Sequence, residues 1–241
     1  MGRRRLKLEI LNILASDDIS EIASELAVYR PLDVVNPLFS ALCSPSDTVR
    51  RHAVWAFGRM VPVIADQDME TARVIMRRLL WSLNDESGGI GWGAPEAIAE
   101  ILAVHDRLAE EYSHMLISYM QDDGPEPFQD GNYLELPMLQ RGLLWGIGRL
   151  CVARRKLMID KGVGKEIREY LSSADPIVRG LAVWCLATLA DGSAAGDLEQ
   201  FAGDMSTVSV FVDGQLQTFT IGELVRQYKE TTAGKAGSAI S

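Results

Sequence analysis

Three cysteines, Cys43, Cys151 and Cys185, are all this 241-residue chain has. They are too few and too scattered for a disulfide framework or a paired Cys-x-x-Cys metal site. Such usage fits a reducing compartment, and the expected location is cytoplasmic. The three histidines, His52, His105 and His114, are not spaced to share a helix face, and none stands in a His-Glu-x-x-His pattern, so they read as incidental. Aromatic residues make up only 7%. No uncharged apolar run reaches the roughly 20 residues that span a bilayer. The basic start, Arg3-Arg4-Arg5, is followed by a stretch broken by Lys7, Glu9 and Asn12, which does not make a secretory signal. Gly2 lacks the Ser or Thr at position 6 that myristoylation requires. Basic charge is scarce in one block: residues 81–140 hold Arg107 against 12 acidic side chains, while the blocks on either side are nearly neutral. A surface of that sign repels phosphate backbones and attracts basic partners, unless it serves only as a solubilising face.

What the sequence does have is repetition. Residues 49–60 read VRRHAVWAFGRM, 139–150 read LQRGLLWGIGRL, and 178–189 read VRGLAVWCLATL. In each an Arg precedes a Trp by four or five positions. A degenerate copy, IGWGAPEAIAEI at 90–101, carries Glu96 at the Trp position. The marked positions 55, 96, 145 and 184 are separated by 41, 49 and 39 residues. Self-similarity near 40 residues is the mark of paired helices stacked as a solenoid.

Local signals fill in the elements. Residues 6–14 read as a helix. Asp18 with Glu21 opens a second that ends before Pro31. Asn36-Pro37 predicts the start of a short outer helix over 37–42, and an inner helix over 49–60 is expected to end near Pro62. Outer helices follow at 69–83 and 113–120, inner ones at 138–152 and 177–189, with 166–171 between the last two. Aligning Leu42, Leu83 and Leu171 puts Ser46, Ser87 and Asp175 at one N-cap position. Residues 121–133, QDDGPEPFQDGNY, form an irregular insertion that accounts for the long step. A basic run, Arg154-Arg155-Lys156 with Lys161 and Lys165, follows, and Arg141 to Lys165 is the only candidate for a phosphate-binding stripe. Then the pattern changes. Val208, Val210 and Val212 alternate with polar residues, Asp213-Gly214 marks a hairpin turn, and Thr220 with Glu223 forms a capping box for a closing helix. The hairpin and helix are placed either to cap the open end of the repeats or to pair with another chain.

The leader Ser172-Ser173-Ala174-Asp175-Pro176-Ile177-Val178-Arg179 into Leu181-Ala182-Val183-Trp184, matched again at residues 44–57, resembles the HEAT-like repeats of phycobilisome lyases. The resemblance covers about residues 5–190. It implies an all-α, armadillo-type α-α superhelix of about five helix pairs, with the C-terminal β-hairpin plus helix outside it. The expected divisions are a helical repeat domain at 1–205, hairpin and capping helix at 206–230, and a disordered tail at 231–241. The resemblance further implies that Arg50 and Arg179 pack between repeats, and that the concave face of inner helices binds a protein.

The sharpest departure from the repeat is NDESGGIGWGAPE, residues 84–96. Each glycine costs a helix interior about 1 kcal/mol against Ala, and Pro about 3. The helix is therefore expected to begin late, at Gly93 or Ala94, with Pro95 in its first turn. The loop before it presents Trp92 among Gly88, Gly89, Gly91 and Gly93, beside Asp85 and Glu86. Glu96, an acid at an apolar repeat position, is a candidate buried carboxyl with a raised pKa, and Glu100 lies four residues on, a spacing that two carboxylates need to share a cation. Trp55, Trp145 and Trp184 form either a row of aromatic anchors or core packing between layers. The binding set is thus Asp85, Glu86, Gly88, Gly89, Gly91, Trp92, Gly93, Glu96, Trp55, Trp145 and Trp184, with no catalytic or metal residue and no cofactor assigned. The expected function is a scaffold binding a protein with a basic surface near the glycine-rich loop, with neither membrane nor nucleic acid as partner and homo-oligomerisation left open. Two other readings are a tetrapyrrole-handling enzyme similar to the bilin lyases and a DNA glycosylase of HEAT-like fold.

Overall fold

The computed structural model describes residues 2–84, 91–122 and 132–238. The fold is an all-α helical repeat with one small antiparallel hairpin. It forms two compact units, Met1–Ser113 and His114–Ser241.

The first unit contains α1 (Arg3–Ile13), α2 (Ile19–Leu26), α3 (Pro31–Leu42), α4 (Asp47–Gln67), α5 (Met69–Leu83), α6 (Ala94–Val104) and most of α7 (Asp106–Ser118). The caps follow their sequence signals. Asp18 accepts from the N–H groups of Ser20 and Glu21, Ser46 from Val49, and Asp68 from Glu70 and Thr71. The inner helix α4 packs against α3, α5 and α6. Its buried set, including Trp55, Phe57, Val61 and Ile64, makes the centre of this unit. Removal of such side chains from water, at roughly 1.5–3 kcal/mol each, drives the packing.

Two proline-based boundaries are corrected. The outer helix begins at Pro31, and Pro37 lies inside it; α4 runs through Pro62 to Gln67. Each proline forfeits one backbone bond, to the carbonyl four residues back. Both rings are buried among apolar neighbours, Val34, Val35 and Leu38 in one case and Val61, Ile64 and Ala65 in the other, and that burial offsets the lost bond. Asn36 is therefore no cap; its side-chain oxygen accepts from Arg78 at 2.7 Å. The third outer helix begins at Asp106 rather than 113, because His105 caps it: the Leu108 N–H donates to His105 Nδ1 at 3.2 Å.

The second unit contains α8 (Pro137–Ala153), α9 (Arg155–Asp160), α10 (Val163–Glu169) with a 3-10 turn at Tyr170–Ser172, α11 (Pro176–Leu189) and α12 (Ala195–Glu199). β1 (Thr207–Val212), β2 (Gln215–Thr220) and α13 (Ile221–Ser238) follow. The inner helices α8 and α11 pack directly on each other. Asp213 and Gly214, with φ of 51° and 83°, make the tight turn, and Val212 pairs with Gln215 across it. The capping box is formed as the sequence predicts: the Thr220 N–H donates to Glu223 Oε2 at 2.7 Å and the Glu223 N–H to Thr220 Oγ1 at 3.2 Å. Hairpin and α13 pack on α11. α13 continues to Ser238, so residues 231–238 are helical and not a disordered tail. The Thr231 and Thr232 hydroxyls there return to the carbonyls of Gln227 and Tyr228.

The repeat arginines hold their own turns. The Arg50 guanidinium donates to the Ser44 carbonyl at 2.5 Å and pairs with Asp47, and that of Arg179 donates to the Ser173 carbonyl at 2.7 Å. Both hydrogen bonds reach six residues back, across the turn that leads into their own helix, and the Arg50 charge also acts on Glu96 of the next repeat. Arg141 joins two repeats directly, donating to Asp175 Oδ2 at 2.5 Å.

Candidate functional site

The late start of α6 is real. Trp55, Trp145 and Trp184 are each the ninth residue of their helices, whereas Glu96 is the third of α6. The turn ahead of it is built for glycine. Gly93 has φ of 68° and serves as N-cap. A Cβ there would sit 2.8 Å from Leu42 Cδ2, and one on Gly91 would lie 2.7 Å from Leu83 Cδ2 and 2.8 Å from the Ser82 carbonyl oxygen. The turn is thus clamped against the ends of α3 and α5, and the Ala94 N–H closes it on the Gly91 carbonyl at 3.1 Å. Trp92, between the two glycines, is half-buried.

Glu96 stands one turn into α6. Its Oε2 is buried and has no hydrogen-bond partner among the described residues. Burial pushes its pKa from an ordinary 4.5 to about 7, against the opposing pull of its own backbone N–H and the Arg50 guanidinium. The site is a fixed turn carrying a half-buried indole and, four residues on, a carboxyl whose Oε2 has no donor among the described residues. Its chemistry is acceptance of a cationic or N–H group. Glu100, four residues on, is buried, and its backbone is what a Cβ on Gly58 would strike at 3.0 Å. Among the described residues no group of three or more His, Cys, Asp or Glu side chains could hold a metal ion.

The remaining predicted residues separate. Asp85, Glu86, Gly88 and Gly89, together with the Ser87 cap and residues 123–131 of the insertion, lie outside the described residues. Trp55, Trp145 and Trp184 are only 7, 9 and 4% exposed. They are buried, Trp184 against Gly148 of α8, and so are not exposed anchors. The indole the sequence reading missed is Trp81, 73% exposed on α5. The signal was present: Ala72, Ile75, Met76 and Leu79 define the buried face of that helix, and position 81 is off it. Two histidines taken as incidental are structural. His52 Nδ1 lies 2.9 Å from the Leu14 carbonyl, at the end of α1, and His105 caps α7.

Residues 34–64 match the family model for the HEAT repeat. No curated protein sequence matches the chain. Among solved structures, an engineered protein from the Northeast Structural Genomics Consortium superposes with a TM-score of 0.53 at 14% identity, over 97% of this chain and 98% of its own. A second engineered protein from the same consortium gives 0.51 at 15% identity, over 94% and 98%. A designed armadillo repeat protein in complex with the peptide (KR)4 gives 0.49 at 17% identity, over 93% and 98%. At these identities the likeness is one of fold. The chain has a HEAT-like helical-repeat fold with a HEAT repeat at residues 34–64, and among its described residues no helix is long and apolar enough to cross a membrane.

Proposed function

We propose that this HEAT-like repeat protein is a non-catalytic interaction module that receives a protein partner with a basic surface at the turn around residues 91–96. The observation that carries the reading is Glu96 Oε2, buried without a donor among the described residues, four positions after a half-buried Trp92. A buried polar atom left unpaired costs about 1–3 kcal/mol, and two clamped glycines hold the backbone in place around it. An incoming Lys or Arg side chain would supply the missing donor and favour the ionised carboxylate. The excess of 12 acidic side chains over one basic in residues 81–140 draws such a partner.

The test is capture from the native lysate with wild type and with a Trp92→Ala, Glu96→Ala variant of matched thermal stability. The captured protein is then purified and titrated against both. Binding lost in the variant and weakened by salt supports the module. An identical captured set with equal affinities overturns it.

A second reading draws on the same carboxyl. A pKa near 7 suits an acid–base catalyst, as in the DNA-glycosylase alternative. The acidic block opposes phosphate contact, and release of an alkylated base from duplex DNA is the assay that would favour it.

A further inference from the structure

The two strands of the hairpin face different surroundings. β1 has its valines turned inward: Val208 lies within van der Waals reach of where a Cβ on Gly180 of α11 would stand, at 3.3 Å. β2 remains outside. Its residues from Gln215 to Thr218 are exposed, Leu216 by 56%. Val212 and Gln215 flank a two-residue turn and so exchange backbone hydrogen bonds, and the alternation of an antiparallel ladder fixes the rest. The N–H and C=O groups of Leu216 and Thr218 point away from β1. Those of Thr220 point the same way, but its N–H is taken by Glu223, which ends the free edge there.

An open edge of this kind is ordinarily protected by charge, proline or a bulge. β2, QLQTFT, has no charged residue, no proline and no glycine, and its register with β1 is unbroken. We propose that β2 pairs antiparallel with β2 of a second copy of this chain, with Gln217 on the two-fold axis. Leu216 then lies opposite the partner's Thr218, and Thr218 opposite the partner's Leu216. The four outward-pointing groups on each strand are satisfied by four intermolecular hydrogen bonds, and no like charges oppose each other. A second copy fits because the strand is uncharged and complementary to itself. So short a ladder falls below the roughly 1,000 Å² of a stable interface, so the dimer is weak and concentration-dependent. β1 caps the last repeat while β2 joins two chains. This proposal is independent of the reading at Glu96.

Sedimentation equilibrium of the full chain over a concentration series tests it. The wild type should pass from monomer to dimer as concentration rises. Leu216→Lys and Thr218→Pro should remain monomeric with unchanged far-UV circular dichroism and thermal unfolding. Should Thr218→Pro lose its fold, Leu216→Lys and a cross-link decide. Cys43 is the exposed cysteine and is replaced first. In Cys43→Ser, mild oxidation of Gln217→Cys should give a disulfide-linked dimer, and Gln215→Cys should not. A wild type monomeric at every concentration, a dimer untouched by both edge variants, or failure of the cross-link at 217 overturns the proposal, even if some other strand adds to the same edge.

Discussion

The segments WAFGRM in α4 and WGIGRL in α8 are nearly the same sequence in the same place on equivalent helices, and they live in different surroundings. In both, the glycine marks the closest approach of the next inner helix: Gly58 to the backbone of Glu100 in α6, Gly148 to the ring of Trp184 in α11. In both, the arginine follows the glycine. Arg59 is exposed and lies 5.2 Å from the Trp55 ring. Arg149 is 7% exposed and donates to Asp213 in the hairpin turn at 2.9 Å. One motif therefore serves a surface position in one unit and, in the other, a buried arginine whose partner Asp213 is itself exposed. What differs is the layer laid over it, and in the second unit that layer is supplied by a segment outside the repeat.

The largest effect should come from adding one carbon at each glycine. A Cβ on Gly148 would fall 2.0 Å from Trp184 Cζ3, and the buried indole has nowhere to go. Gly148→Ala should lose about 3 kcal/mol or more. Gly58→Ala meets its neighbours at 3.0 Å and should lose much less, since alanine regains up to about 1 kcal/mol of helix propensity. Thermal unfolding of the two variants side by side would show it, and equal losses would mean that the two layers are packed alike.

Next in size is the titration of Glu96. A carboxyl whose folded pKa lies at about 7, above its usual 4.5, binds its proton more tightly when folded. Its stabilising contribution is complete below pH 4.5 and is lost as the pH rises through 7. Glu96→Gln should therefore stabilise the protein at alkaline pH, by about 1–3 kcal/mol, and change little in acid. Urea titrations at both ends of that range check this, and a gain independent of pH would contradict it.

The two arginines come third. Arg149→Met should cost about 1–2 kcal/mol through the charged hydrogen bond to the hairpin, and Arg59→Met under about 0.5. Hydrogen exchange of the β1–β2 amides should quicken in the first variant alone. The smallest effect concerns the capping box: Thr220→Ala should cost about 1 kcal/mol and loosen the first turn of α13, seen as faster exchange there, while leaving α4 and α6 unaffected.

Much of the architecture could be read from the chain because its signals are local. Asp18, Ser46 and Asp175 cap helices, Asp213-Gly214 turns the hairpin, and the glycines before Ala94 delay α6, all through contacts within a few residues. Prediction failed where tertiary burial outweighs local preference. Pro37 and Pro62 look like boundaries until the apolar neighbours that bury them are known. His52 meets a carbonyl 38 positions away, a distance no window reveals. At the candidate site, an acid at an apolar repeat position pointed to Glu96 as a candidate buried carboxyl, and burial does push it up. For the three repeat tryptophans the sequence favoured core packing over a row of anchors, and all three are buried. The exposure of Trp81 was legible too, because position 81 lies off the apolar face that Ala72, Ile75, Met76 and Leu79 define.

The cysteines leave the protein with a built-in reporter. Cys151 is buried with its thiol pushed up to about 12, and Cys185 is held well above its usual range by burial, so neither forms the thiolate that alkylating dyes require. Cys43 is exposed at the end of α3, and the adjoining Leu42 is the side chain against which Gly93 is clamped. A maleimide fluorophore would attach to the native sequence at a single point, one residue from the turn that carries Trp92. Its emission would register a ligand arriving at that turn without any engineered change to the chain.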